Sequence, residues 1–168
     1  MIFVTLGTHH QPFDRLIESL ALLPGPELVV QYGHSRPPAG VAVAVAFLPF
    51  EELRARVAEA DVVVTHAGVG SILTARRAGH VPIVVPRRHS EGEHVDDHQL
   101  ELTGALADTG SVIPIWDMGE LPGAVASAPA RSGERRGDAG GLAAAVRTAL
   151  RPAGARRARP VGPRRRRG

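Results

Sequence analysis

Apolar residues fall along this chain in two alternating rhythms. Short runs in which nearly every position is apolar predict strands buried on both faces: residues 2–6, 27–32, 41–47, 61–65, 83–85 and 111–115. Between them the apolar positions take helical spacing. Phe13, Leu16, Ile17 and Leu20 mark one helix, and Pro24-Gly25-Pro26 breaks it. Leu53, Val57 and Ala60 mark a second, opened by Pro49, Glu51 and Glu52. A third starts at Val69 or Gly70 and ends at Ala78, with Gly79 and then Pro82 behind it. Asp96 and Asp97 open a fourth that carries Leu102, Ala105 and Leu106. Residues 118–126 predict one more short helix.

Strand and helix alternate with short connections, which predicts an α/β fold: a Rossmann-like parallel sheet with helices on both faces. Ligands of such sheets bind beyond the carboxyl ends of the strands. The turns there are Gly7-Thr8-His9, Gly33-His34-Ser35, Phe47-Leu48-Pro49, residues 66–71 and residues 87–94, so they should cluster on one edge. Residues 66–71, HAGVGS, join a β-branched strand to a helix N-terminus. Gly68 and Gly70 are expected to allow positive φ and close approach of a ligand, and unpaired N–H groups with the helix dipole would seat a phosphate.

Composition divides the chain. Residues 1–127 read as the folded domain, 128–150 as a loop with a possible C-terminal helix aligned by Leu142, Val146 and Leu150, and 151–168 as an Arg- and Pro-rich disordered tail. Residues 131–168 hold 12 Arg and 2 acids, whereas residues 1–130 hold 8 Arg and 15 acids. The net charge of +3 therefore averages an acidic body with a basic tail, and no nucleic-acid face is expected. The tail reads either as solvated or as attracted to anionic lipid. There is no cysteine, hence no disulfide or thiolate metal site. The N-terminus has no signal-peptide pattern, and no apolar run approaches the ~20 residues that span a bilayer, so a cytoplasmic location is expected.

Gly68-Val69-Gly70 departs from a dinucleotide fingerprint, because Leu73 stands where the third glycine belongs and no acid closes the next strand. A P-loop is excluded for want of a GK[ST]. His94 and His98 could belong to a metal site or to a solvated loop; the expectation is no metal. A third reading has Asp97, His98 and Gln99 hydrogen-bonding the hydroxyls of a sugar. His66 could be a catalytic base, a phosphate partner or a packed strand-end residue.

Taken in order, residues 2–8 with 12–17, 31–35, 60–71, 82–87 and 93–100 (EHVDDHQL) resemble the glycosyltransferase family 28 C-terminal domain, the MurG-like donor-binding half. The likeness is greatest to stand-alone donor-binding subunits of two-component transferases in bacterial exopolysaccharide and eukaryotic chitobiosyl-dolichol synthesis. The resemblance implies one half of a GT-B fold and a UDP-sugar donor, with no cofactor. It implies that Gly7 and Thr8 form a phosphate-side loop, that Leu48 meets the uracil, that Gly68, Gly70 and Ser71 form the diphosphate turn, and that His98 and Gln99 hold the sugar. His66, Ala67, Glu93 and Asp97 fall in the same donor segments. Thr74 stands where MurG enzymes carry a ribose-binding glutamate. A chain this long builds one domain, so the resemblance implies a membrane-anchored acceptor-binding partner, a lipid-linked acceptor and recruitment to the inner face of the membrane. UDP-sugar 2-epimerases share the fold but hold both domains in one chain. The alternative is a nucleotide-sugar binding module without turnover.

Overall fold

The structure is a computed structural model that describes residues 1–23, 28–129 and 146. Six parallel strands form one sheet in the order β3-β2-β1-β4-β5-β6. They are β1 (Ile2–Thr5), β2 (Leu28–Gln31), β3 (Val43–Val45), β4 (Val62–His66), β5 (Ile83–Val85) and β6 (Ile113–Pro114). The helices are α1 (Asp14–Ser19), α2 (Phe50–Glu59), α3 (Val69–Arg77), α4 (His98–Asp108) and α5 (Leu121–Ala126). Strand order reverses between β1 and β4, whose registers pair Thr5 with Thr65. Both strands therefore end at one level, and the turns that follow them open side by side at the switch point.

Alternation within the strands explains the layers. Ile2 and Val4 face one side, where they pack with Phe13, Leu16, Leu28, Val30, Val64 and Leu121 beneath α1 and α5. Phe3 faces the other, with Val29, Val57, Val63 and Ala75 beneath α2 and α3. A further cluster of Ala67, Ile72, Val84, Leu102 and Leu106 seats α3 and α4 beside it. Burial of these side chains from two faces is the main stabilising term, at roughly 25 cal/mol per Å².

Several elements are shorter than the apolar pattern predicts. Residues 41–47 give only three paired residues, because β3 is an edge strand bonded to β2 alone and its residues are largely exposed. The sixth strand keeps two residues, at the opposite edge. Pro12 lies before the first helix turn, and Phe13 occupies the cap position, fully buried. In α4 it is Thr103 rather than Ala105 that is buried with Leu102 and Leu106. Gly79 sits one residue past the cap of α3 with φ of 89°, as a helix stop requires. Of the possible helix over residues 141–150, only Val146 is described, and it packs against the α3–α4 cluster. The rest of that helix, Pro24-Gly25-Pro26 and residues 151–168 lie outside the described residues. No described helix is long and apolar enough to cross a membrane.

Candidate functional site

The end of β1 is shaped by a buried amide. Gln31 closes an otherwise apolar strand and is 2% exposed. Its Oε1 accepts from Thr5 Oγ1 at 2.7 Å and from the Gly7 N–H at 3.2 Å. Its Nε2 donates to the Gly7 carbonyl at 3.0 Å and the Ala46 carbonyl at 2.7 Å. All four bonds of the side chain are made, so three strand ends are tied into one turn. Gly7 holds φ of 75°, and a Cβ there would overlap the His66 ring.

That ring fills the space between two glycines. A Cβ on Gly68 would also overlap it. Gly68 therefore has a different reason from the one the sequence suggests. Its φ is −77° and Gly70 lies within α3, so neither needs the left-handed region. Gly68 is small because His66 packs on it. With no side chain at the cap of α3, the N–H groups of its first turn have no capping partner within the helix. Burial lowers the His66 pKa to about 4, helped by the nearby Arg87 guanidinium and opposed by a hydrogen bond with the Thr5 backbone. His66 is thus neutral at physiological pH.

The loop between β5 and α4 is polar by composition but anchored from within. Arg87 is 1% exposed. Its Nη1 donates to the carbonyls of Gln11, Pro12 and Glu93, and its Nη2 to that of Leu6, at 2.8–3.3 Å. Its guanidinium lies 4.6 Å from the centre of the Phe13 ring, and its Nε has no hydrogen-bond partner among the described residues. Burial lowers its pKa to about 10, against the raising effect of Glu93, so it stays charged at neutral pH. Gln99 completes the joint. Its Oε1 accepts from the Ala67 N–H at 3.2 Å and the Arg87 N–H at 3.0 Å. Two backbone donors fix which end of the amide is oxygen, and leave the amide nitrogen as the side chain's remaining polar group.

Two neighbouring hollows result. One, of about 260 Å³, is lined by Gly7, Thr8, Gln31, Leu48, Leu53, His66, Gly68, Gly70 and Ser71. The other, of about 390 Å³, is lined by Thr8, His9, His10, His66, His94 and Gln99. Thr8 and His66 line both. The segments 66–71 and 93–99 therefore share one edge of the sheet. A family model for the glycosyltransferase family 28 C-terminal domain matches residues 1–112.

The chain belongs to that family.

Its six-stranded sheet is one half of a GT-B fold. A UDP-N-acetylglucosamine transferase subunit ALG13 from Yarrowia lipolytica is 30% identical over 122 residues, covering 63% of this chain and 60% of the relative. A protein of the same name from Cryptococcus neoformans is 49% identical over 59 residues, covering 34% of this chain and 28% of the relative. The chain thus spans 60% or less of the length of these relatives.

Of the residues singled out from the family 28 motifs, Gly7, Thr8, Leu48, His66, Gly68, Gly70, Ser71 and Gln99 line the two hollows. Ala67 stands behind them, buried and bonded to Gln99. Three do not reach the hollows. Glu93 is buried in a two-pronged pair with Arg15, 2.9 Å on each oxygen, and also accepts from the Arg88 N–H. Asp97 turns to the His89 N–H at 3.0 Å. His98 is exposed at the start of α4. Thr74 donates to the Gly70 carbonyl at 2.8 Å and lies in a separate groove between α2 and α3. Gln31 and Arg87 went unnoticed as site builders. In the sequence Gln31 stands out only as the polar residue that ends an apolar strand, and Arg87 only as the first residue of the polar loop after Pro86. As for chemistry, the turn at α3 offers N–H groups and the positive helix end to an anion, and Gln99 with the histidines offers hydrogen bonds beside it.

Proposed function

We propose that the chain is the donor-binding, catalytic subunit of a heteromeric inverting glycosyltransferase. It takes a hexosyl or N-acetylhexosaminyl group from a UDP-sugar and passes it to a lipid-linked acceptor held by a membrane-anchored partner subunit. The observation that carries this reading is Gln99 Oε1 of the EHVDDHQL segment, which accepts from the Ala67 N–H of the HAGVGS turn at 3.2 Å and from the Arg87 N–H after β5 at 3.0 Å. That joint sets a phosphate-sized turn and a polar, sugar-sized hollow edge to edge. The names of the ALG13 relatives favour N-acetylglucosamine among the sugars.

In this reading the uracil lies toward Leu48, the diphosphate on Gly68, Gly70 and Ser71, and the sugar over Gln99. The acceptor oxygen attacks the anomeric carbon as the bond to UDP breaks, which inverts the configuration. The N–H groups and dipole of α3 stabilise charge on the departing diphosphate. In this reading the base that takes the acceptor's proton comes from the partner, and His66, wedged between Gly7 and Gly68, borders the hollows as packing. Coexpression with the membrane partner, followed by transfer from UDP-N-acetylglucosamine to a lipid-linked acceptor, tests the proposal. Transfer should be lost in Gly68→Asp. Transfer that survives this change would overturn the site assignment.

A further inference from the structure

The donor reading rests on the glycine turn and Gln99 and asks of three histidines that line the polar hollow only general hydrogen bonding. His9 and His10 follow Thr8, and His94 sits in the loop before α4. The His9 and His94 rings stack with centres 4.7 Å apart and planes at 23°, and the His10 ring lies 4.7 Å from that of His9 at a tilt of 38°. Each segment is held in place. His9 Nε2 bonds Gln11 Oε1 at 2.7 Å, and His94 Nδ1 bonds Asp96 Oδ1 at 3.0 Å. Beneath them Arg87 donates to the carbonyls of Gln11, Pro12 and Glu93, so one buried cation fixes both histidine-bearing segments.

The charged neighbours can be named. Arg87 lies below, Glu93 is spent on Arg15, and Asp96 is bonded to His94 and to the His98 N–H. His89 Nδ1 bonds the His94 carbonyl, and His66 forms the neutral floor. Among the described residues no group of three or more His, Cys, Asp or Glu is placed to hold a metal ion, and the rings stack rather than converge. An anion set among them accepts hydrogen bonds from the ring N–H groups of three side chains at once.

We propose that His9, His10 and His94 form a subsite for a phosphate group. This deepens the donor reading and rests on it only for the identity of the phosphate. The group is either the donor's distal phosphate or the phosphate of the lipid-linked acceptor.

Sulfate is the probe, since its charge stays fixed across the range in which imidazoles titrate. Calorimetry of the full chain should show saturable sulfate binding. The variant His9→Asn/His10→Asn/His94→Asn, which changes only partly exposed or exposed residues, should bind sulfate roughly tenfold or more weakly. In the native chain, sulfate should move the NMR signals of these three rings. Equal sulfate affinity in native and variant chains, or unmoved ring signals, overturns the subsite. If saturating UDP moves the rings and blocks sulfate, the donor's phosphate is the occupant. If sulfate still binds beside UDP, the acceptor's phosphate is. Both results uphold the subsite. Failure of UDP to bind while sulfate acts on the rings overturns the donor reading and leaves the subsite standing.

Discussion

Replacing Gln99 by Met isolates the joint on which the site depends. Methionine keeps nearly the same length and volume, so little cavity forms. What is lost is the oxygen that accepts from the Ala67 and Arg87 N–H groups. Ala67 is 2% exposed and Arg87 1%, so water reaches neither donor easily. An unpaired buried donor costs about 1–3 kcal/mol, and there are two. Partial relaxation of the loop trims the sum to roughly 2–4 kcal/mol. For a domain with total stability of about 5–15 kcal/mol this is a large loss. Urea unfolding followed by circular dichroism reads it as a fall in midpoint of roughly 1–2 M. Below the transition the variant should also bind UDP more weakly, because the HAGVGS turn is no longer tied to the loop before α4. A midpoint within experimental error of the native chain would refute the reasoning, since the two bonds would then carry no net stability. A stability loss with unchanged UDP affinity would reduce Gln99 to a scaffold residue.

Acidification from pH 7 toward pH 4 should weaken the fold through His66. Its folded pKa of about 4 lies below the usual 6.5, so the unfolded chain binds the proton first and stability falls with pH through that window. The share from this one residue is on the order of 3 kcal/mol, and His66→Gln should flatten the corresponding slope in a pH series of unfolding curves. Gly68→Ala should destabilise by roughly 1–3 kcal/mol, because its Cβ meets the His66 ring and not because of φ. Adding His66→Ser should recover most of that loss in a double-mutant cycle, and independent, additive effects would contradict the packing argument. Glu93→Gln leaves the half-buried Arg15 without its anion and should cost roughly 2–3 kcal/mol in urea unfolding, toward the low end for a buried pair since Arg15 retains some exposure. Removing residues 151–168 should leave UDP-sugar affinity unchanged by calorimetry, because every lining residue lies between Gly7 and Gln99.

The pattern of apolar residues carried the layer architecture because each buried strand here is a continuous run and each helix has one apolar stripe. The runs Val62-Val63-Val64 and Ile83-Val84-Val85 place β4 and β5 without ambiguity. Edges were less legible. Residues 41–46 alternate Val and Ala before Phe47, and whether such a stretch pairs over seven residues or three depends on its neighbours in the sheet. Within the site, the place of the glycine turn and the helix N-terminus was legible because it follows from local spacing, although the expected positive φ at Gly68 and Gly70 is absent. The roles of Gln31, Arg87 and Glu93 were not. Each acts on partners that are far away in sequence, such as Leu6 for Arg87 and Arg15 for Glu93, and only the fold supplies those partners. The same holds for Gly68, whose need for smallness comes from a ring two residues back that folds over it.

The central claim is that one edge of the sheet gathers the turns after β1, β3, β4 and β5 into a seat for a UDP-sugar. Calorimetry of the purified chain against UDP, UDP-N-acetylglucosamine, UDP-glucose and UDP-galactose tests it most directly. The account predicts saturable binding of UDP, tighter binding of one UDP-sugar than of the others, and loss of both in Gly68→Asp. No binding of any uridine diphosphate, or binding that Gly68→Asp leaves intact, would contradict it.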